Sequence, residues 1–283
     1  MMSQSLTVSA SSRKLRRSLP WRGIAIWVIA ALWIAPVVWI IATAFKPRAD
    51  VYSLAVLFTP TLDSLLSAFD SPYLLGARLL NSLLVTAGTL VMAIPVATLA
   101  AYAFSRFRFP GGQVGPLLLL ATQFLPPVII VIPLFVVFRH LDMLDTPWAL
   151  MIANLSFVVP YATWMIKAFF DALPPDMEEA AQIDGASRLR AMWDVVVPVA
   201  LPGIATASIF CFVVSWNEFF YALVLTRENA VTLPVALMSA RTEQGDAWDI
   251  MASMGLFIIA PMLLISRFVQ RYFVRGLVTG AIR

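Results

Sequence analysis

The sequence has one cysteine, Cys211, and one histidine, His140, in 283 residues, which excludes a disulfide framework and leaves too few soft ligands for structural zinc or haem. Neither a metal nor redox chemistry is expected. No G-x-x-x-x-G-K-[ST] phosphate loop occurs anywhere, so the chain has no conventional means of cradling ATP. Charge is also scarce. Only 13% of residues are charged and 60% are hydrophobic, against about 25% and 45–50% in soluble domains. With a mean hydropathy of +0.85 and apolar runs spread along the whole length, this is the composition of a polytopic membrane protein. The net charge of +4 does not indicate nucleic acid as a partner, because the basic residues flank hydrophobic runs.

A membrane-crossing helix needs about 20 mostly apolar residues. Six such runs are bounded by charge: Gly23 to Phe45, Leu79 to Phe104, Val114 to Phe138, Pro147 to Phe170, Pro202 to Thr226 and Met251 to Val274. The first contains an Ala42-Thr43-Ala44 stretch that imitates a signal-peptidase site, but its core is too long for a secretory signal. The expected fold is therefore all-α with six transmembrane helices, consisting of a basic tail at 1–22 and one membrane domain at 23–283.

Orientation follows from counting Lys and Arg on alternate sides. One side gathers Arg13, Lys14, Arg16, Arg17, Arg22, Arg106, Arg108, Lys167, Arg188, Arg190, Arg267, Arg271, Arg275 and Arg283; the other has Lys46, Arg48, Arg78, Arg139, Arg227 and Arg241. Fourteen against six puts both termini in the cytoplasm. Prolines within the runs, among them Pro36, Pro95, Pro126, Pro127, Pro133, Pro160 and Pro261, free backbone groups that neighbouring helices or a wet cavity must satisfy. They fit bent helices around a pathway and ordinary packing kinks equally well.

The loop at 171–200 breaks the apolar pattern. Pro174 and Pro175 end the preceding helix, and Asp176 with Glu179 has capping-box spacing. Gly185 suits a left-handed C-terminal cap, Ser187 can cap a second short helix, and Pro198 would stop it. Leu189, Met192, Trp193 and Val196 fall on one apolar face of that second helix. Such a face can enter a groove on another protein or pack on the chain's own helix ends, and physics alone leaves both open.

Glu179-Ala180-Ala181, three residues, Gly185, nine residues, then Val195-Val196-Val197-Pro198 resembles the EAA loop of ABC importer permeases, whose pattern is EAA-x3-G-x9-I-x-L-P. Val195 and Val197 depart from it conservatively. Ser215-Trp216-Asn217-Glu218-Phe219 and the stretch from Gln270 to Ala281 resemble the carbohydrate-uptake branch, in particular the maltose-type permease that lacks the large external insertion. The resemblance implies a permease subunit of a binding-protein-dependent sugar importer. Glu179, Ala180, Ala181, Asp184, Gly185 and Pro198 would couple to a separate ATP-binding subunit dimer, which would hold ATP and Mg. A homologous permease, an extracytoplasmic sugar-binding protein and the lipid bilayer would be the other partners. Gly276 and Gly280 would belong to a C-terminal tail near the ATPase interface, and the loop from Arg227 to Asp249 would reach toward the binding protein.

Glu218 is the one carboxylate these boundaries put inside a run, and Asn217 precedes it. Ionisable groups at depth face the bundle interior, a cavity or a partner. The two either line a sugar path or make an interhelical hydrogen bond. Trp216, Phe219, Phe220 and Tyr221 offer rings for stacking on sugars, while Cys211 reads as a small buried hydrophobe. Two rival functions remain from the residues alone. A membrane enzyme would have to use the carboxylates Asp171, Asp176, Glu178, Glu179, Asp184 and Asp194, and an ion-gradient transporter would need more buried charge than Glu218 supplies.

Overall fold

A computed structural model describes residues 20–108, 110, 114–242 and 245–280. Among them are twelve α-helices: α1 Pro20–Ala44, α2 Asp63–Phe69, α3 Leu75–Arg106, α4 Val114–Ala121, α5 Pro127–His140, α6 Pro147–Asp171, α7 Asp176–Ile183, α8 Arg188–Ala191, α9 Val197–Trp216, α10 Phe220–Leu225, α11 Leu233–Ser239 and α12 Trp248–Gly280. A two-residue hairpin, Arg241–Thr242 against Gly245–Asp246, is the one strand pairing among the described residues.

Four helices, α1, α3, α6 and α12, and the continuous segment from α8 through α9 are each long and apolar enough to cross a bilayer. The sixth expected run is broken. Val114–Phe124 and Pro127–His140 meet at 90°, because Leu125 and Pro126 are extended, with ψ of 126° and 135°, as residues before proline prefer. The pair makes a sixth crossing only as a bent unit. Six of the described basic residues can be placed by their contacts. Arg106, Arg188 and Arg190 lie at the end bearing α7, and Arg48, Arg78 and Arg227 at the end bearing α11.

The core follows from a ridge of small residues. Ala93, Ala97 and Ala101, spaced four apart on one face of α3, are fully buried against Val158, Ala162 and Ile166 of α6 and Ala207 of α9. Without large side chains between them, the backbones approach closely, which is how helices associate in lipid. Helix α1 by contrast packs on α12 while leaving Trp27, Leu32 and Trp33 exposed. In a membrane protein that is a surface for lipid or another chain.

Candidate functional site

The loop after α6 turns twice within a few residues. Helix α7 begins at Asp176 as expected, but Asp176 is not its cap. Pro175 occupies that position, and its carbonyl accepts the N–H groups of Glu178 (2.9 Å) and Glu179 (3.2 Å). The three acidic residues of the first turn, Asp176, Glu178 and Glu179, sit where the helix dipole favours negative charge. At the other end Ala186 N–H bonds Ala181 O (3.0 Å) and Gly185 N–H bonds Gln182 O (3.0 Å), the double closure of a Schellman cap. Gly185 has φ +92° with open space around it. Its constraint is backbone conformation and not packing.

Ser187 Oγ accepts Arg190 N–H at 3.3 Å and caps α8. The chain then continues through a π turn, Met192–Val196, directly into α9. Pro198 therefore does not stop the second helix. It lies in the first turn of α9, where the widened turn before it leaves room for the ring. The expected single apolar face is also divided. Met192 and Val196 are buried in the core, whereas Leu189 and Trp193 are 59% and 45% exposed, and Ile183 on α7 is 85% exposed. Glu179, Ala180, Asp184, Gly185 and Pro198 are exposed and Ala181 is half-buried. Apart from half-buried Ala181, the motif residues and three large apolar side chains of this region are thus uncovered.

Glu178 does the opposite. It is 5% exposed, accepts Tyr102 O–H at 2.8 Å and pairs with Arg106 Nε, both from the end of α3. Arg106 also donates to Leu173 O at 3.1 Å. Beside it Asp171 accepts Ser105 Oγ–H (2.7 Å) and Lys167 Nζ–H (2.6 Å). In the sequence Glu178 stood out only as one of six loop carboxylates, since its partners are 76 and 72 residues away.

Asn217 and Glu218 lie at a break between α9 and α10 and not inside a helix. The Glu218 carboxylate accepts the N–H groups of Tyr221 (2.7 Å) and Ala222 (3.1 Å), so it closes the start of α10. Asn217 is exposed and donates to Val213 O at 2.8 Å. Ser82, Thr86, Asn154, Ser215 and Thr232 line a small polar pocket with Glu218, with room for about one water. There Asn154 Nδ2 donates to Ser215 Oγ (3.2 Å), while Asn154 Oδ1 and Thr232 Oγ1 face it with no protein partner. Of the rings proposed for sugar stacking, Trp216 is a core residue, stacked on Phe212 and donating Nε1–H to Ile258 O at 3.1 Å. Tyr221 is buried too. Cys211 is buried and free, as expected.

At the α11 end one carboxylate organises a loop. Asp145 accepts the backbone N–H groups of Arg227, Glu228, Asn229 and Ala230 at 3.0 to 3.2 Å, and the Asn229 side-chain amide at 2.9 Å. Burial pushes its carboxyl up, but these donors outweigh burial and hold the pKa down to about 2. No sequence motif singles out Asp145, because the amides it collects lie 82 to 85 residues away. Nearby, Asp249 at the start of α12 accepts Arg48 Nε–H (3.1 Å) and Ser64 Oγ–H (2.9 Å). Helix α11, which lies within the loop expected to reach a binding protein, has Leu233 and Ala236 buried. Gly276 and Gly280 have helical backbone in α12, but the expected tail contact lies outside the described residues, since side-chain surroundings are described only to Arg267. The basic tail at 1–19 also lies outside them.

Residues 93–279 match the family described as binding-protein-dependent transport system inner membrane component. The chain belongs to that family. It is a multi-pass inner-membrane permease, a transport subunit and not an enzyme, so the carboxylate-enzyme and ion-gradient alternatives are set aside. The diacetylchitobiose uptake system permease DasC of Streptomyces coelicolor is 31% identical over 95% of this chain and 100% of its own. The trehalose transport system permease SugB of Mycobacterium tuberculosis is 33% identical over 86% of this chain and 90% of its own. A chain of a bacterial ABC transporter involved in import of the acidic polysaccharide alginate shares the fold, with a TM-score of 0.75 at 23% identity, covering 90% of this chain and 95% of that one.

Proposed function

We propose that this permease forms half of the transmembrane path of an ATP-driven sugar importer, and that its α7–α8 loop docks in a cleft of the ATP-binding subunit. The uncovered surface carries this reading. Ile183, Leu189 and Trp193 stand exposed beside Glu179, Ala180, Asp184 and Gly185 on a charged loop, the arrangement of an apolar helix face that needs a groove. A second, homologous permease completes the path, two ATP-binding subunits hold ATP and Mg, and an extracytoplasmic binding protein delivers sugar at the α11 end. Both termini and the α7 end are cytoplasmic, in keeping with the Lys and Arg excess there. The sugar class rests on the relatives named for diacetylchitobiose and trehalose.

The mechanism is alternating access. ATP-driven closure of the ATP-binding subunits displaces the loop from Glu179 to Gly185, and the rigid Schellman turn with the capped α8 moves as a lever. Pro198, in the first turn of α9, carries that displacement into the α9 backbone. Asn217 and Glu218 contribute to the path through the α9–α10 break they create, with the Asn217 amide exposed and the Glu218 carboxylate committed to shaping the break. Gly276 and Gly280 extend the ATPase contact along α12. Each step requires a differential interaction between states, and the two ends of the bundle supply one each.

Affinity purification of the tagged chain from membranes, with mass spectrometry and an ATPase assay, tests this. A second six-span permease and an ATP-binding subunit are expected to co-purify. Proteoliposomes of that complex with its binding protein are then expected to take up radiolabelled trehalose, maltose or diacetylchitobiose when ATP is supplied. A chain that purifies alone, without ATPase activity, would overturn the reading.

A further inference from the structure

We propose that Glu178, and not only the exposed motif residue beside it, is the positioning residue of the coupling loop: it locks α7 to α3, so that displacement of the loop travels to the opposite end of the molecule through α3. The proposal rests on the ATPase-docking reading above.

Three observations carry it. Glu178 is the one buried residue of α7; its neighbours Met177 and Glu179 are exposed. Helix α7 also packs on α8 and on the π turn that follows it, but Glu178 is the side chain that ties it to α3. Second, that side chain is gripped at two points one helical turn apart, by the Tyr102 hydroxyl at 2.8 Å and by Arg106 Nε. Two donors on one face of α3 fix the direction as well as the position of the carboxylate, and Arg106 extends the clamp to Leu173 O at 3.1 Å, in the connection between α6 and α7. Both charges are largely withdrawn from solvent, with side-chain exposures of 13% and 7%. Parting them would strand a buried charge.

Third, the far end of α3 is tied to a different functional surface. The helix is continuous for 32 residues, about 48 Å at the usual rise. At its start Arg78 donates to Glu228 O, Asn81 Nδ2 donates to Asn229 O (2.7 Å) and Val231 O (3.0 Å), and Ser82 Oγ accepts Leu233 N–H (2.8 Å). This is the segment whose N–H groups Asp145 collects. One unbroken helix, with Pro95 inside it, therefore touches both the loop that meets the ATPase and the loop on the opposite face, a contiguous connection of the kind that coupling over such a distance uses.

The test uses the complex co-purified with its partner chains. Spin labels are introduced by Asp176→Cys on α7 and Leu80→Cys near the start of α3, with buried Cys211 left in place. With the strut intact, the inter-label distance is expected to be the same without nucleotide and with ATP trapped by vanadate. In Glu178→Gln it is expected to shift or broaden in the trapped state, with a milder broadening in Tyr102→Phe should the stronger variant fold poorly. The charge-swapped pair Glu178→Arg with Arg106→Glu is expected to narrow it again, a rescue that loss of folding alone would not show. A wild-type distance that moves with ATP, or a Glu178→Gln distance that stays fixed, would overturn the proposal while leaving the docking reading intact. A chain that recruits no ATP-binding subunit would overturn both.

Discussion

The two ends of the bundle differ in the bonds that shape their loops. At the α11 end Asp249 holds the side chains of Arg48 and Ser64, but two other carboxylates gather backbone N–H groups. Asp145 takes four consecutive ones from Arg227 to Ala230, and Glu218, at the nearby break, takes those of Tyr221 and Ala222. At the α7 end side chains hold side chains, Glu178 to Arg106 and Tyr102, and Asp171 to Lys167 and Ser105. A carboxylate bound to successive amides freezes the shape of one loop. A pair between side chains ties together elements that each keep their own shape, and so suits parts that must move as bodies. The α7 end also exposes Ile183 and Trp193, as a docking surface requires, whereas α11 turns Leu233 and Ala236 inward.

Breaking the α7 clamp should have the largest effect on that contrast. Glu178→Ala leaves largely buried Arg106 with only the half-exposed Asp171 as a nearby counter-charge and is expected to cost up to about 3–5 kcal/mol, whereas exposed Glu179→Ala is expected to stay within about 0.5 kcal/mol. Thermal unfolding of both variants in one detergent compares them directly. Next comes the loop at the other end. Asp145→Ala removes a charged acceptor and is expected to cost about 1.5–3 kcal/mol, with faster hydrogen exchange confined to the amides of Arg227 to Ala230.

Gly185→Val forces a β-branched residue into φ +92° and is expected to cost about 1–2 kcal/mol, read as a lower unfolding temperature. It should also leave ATP hydrolysis running without sugar uptake in the reconstituted complex. Of the variants that break a bond or a turn, Ser187→Ala has the smallest expected effect, about 1 kcal/mol for a lost helix cap, measured by the same unfolding assay.

A pH titration sharpens the comparison. The Asp145 carboxyl is held at about 2 in the folded chain against an ordinary value of 3.8, so its contribution is complete above pH 3.8 and fades as pH falls through about 2. Unfolding temperatures of wild type and Asp145→Asn should therefore converge over that window and stay parallel above it.

Much of this molecule was legible in the sequence. The apolar runs located the starts of four crossings to within a few residues, since length and charge boundaries are direct consequences of bilayer thickness, but the run expected at Pro202 to Thr226 corresponds to a crossing at Arg188–Trp216. Gly185 and Ser187 were legible because caps are local chemistry. Direction was not. Hydropathy records that Val114 to Phe138 is apolar, but not that extended residues at Leu125 and Pro126 turn it through 90°. It likewise hid the break at Asn217 and Glu218, because the residues on both sides are equally apolar. The motif drew attention to Glu179. Glu178 and Asp145 take their roles from partners 72 to 85 residues away, which only the packing of α3 on α6 and the folding back of the 227–230 loop bring near.

The central claim is that the exposed α7–α8 surface meets an ATP-binding subunit. A photo-crosslinking amino acid at Ile183, illuminated in native membranes and analysed by mass spectrometry, tests it most directly. The expected result is a crosslink to an ATP-binding subunit that is lost when the reporter is moved to buried Met192. Crosslinks only to lipid or to this chain's own helices would contradict the account.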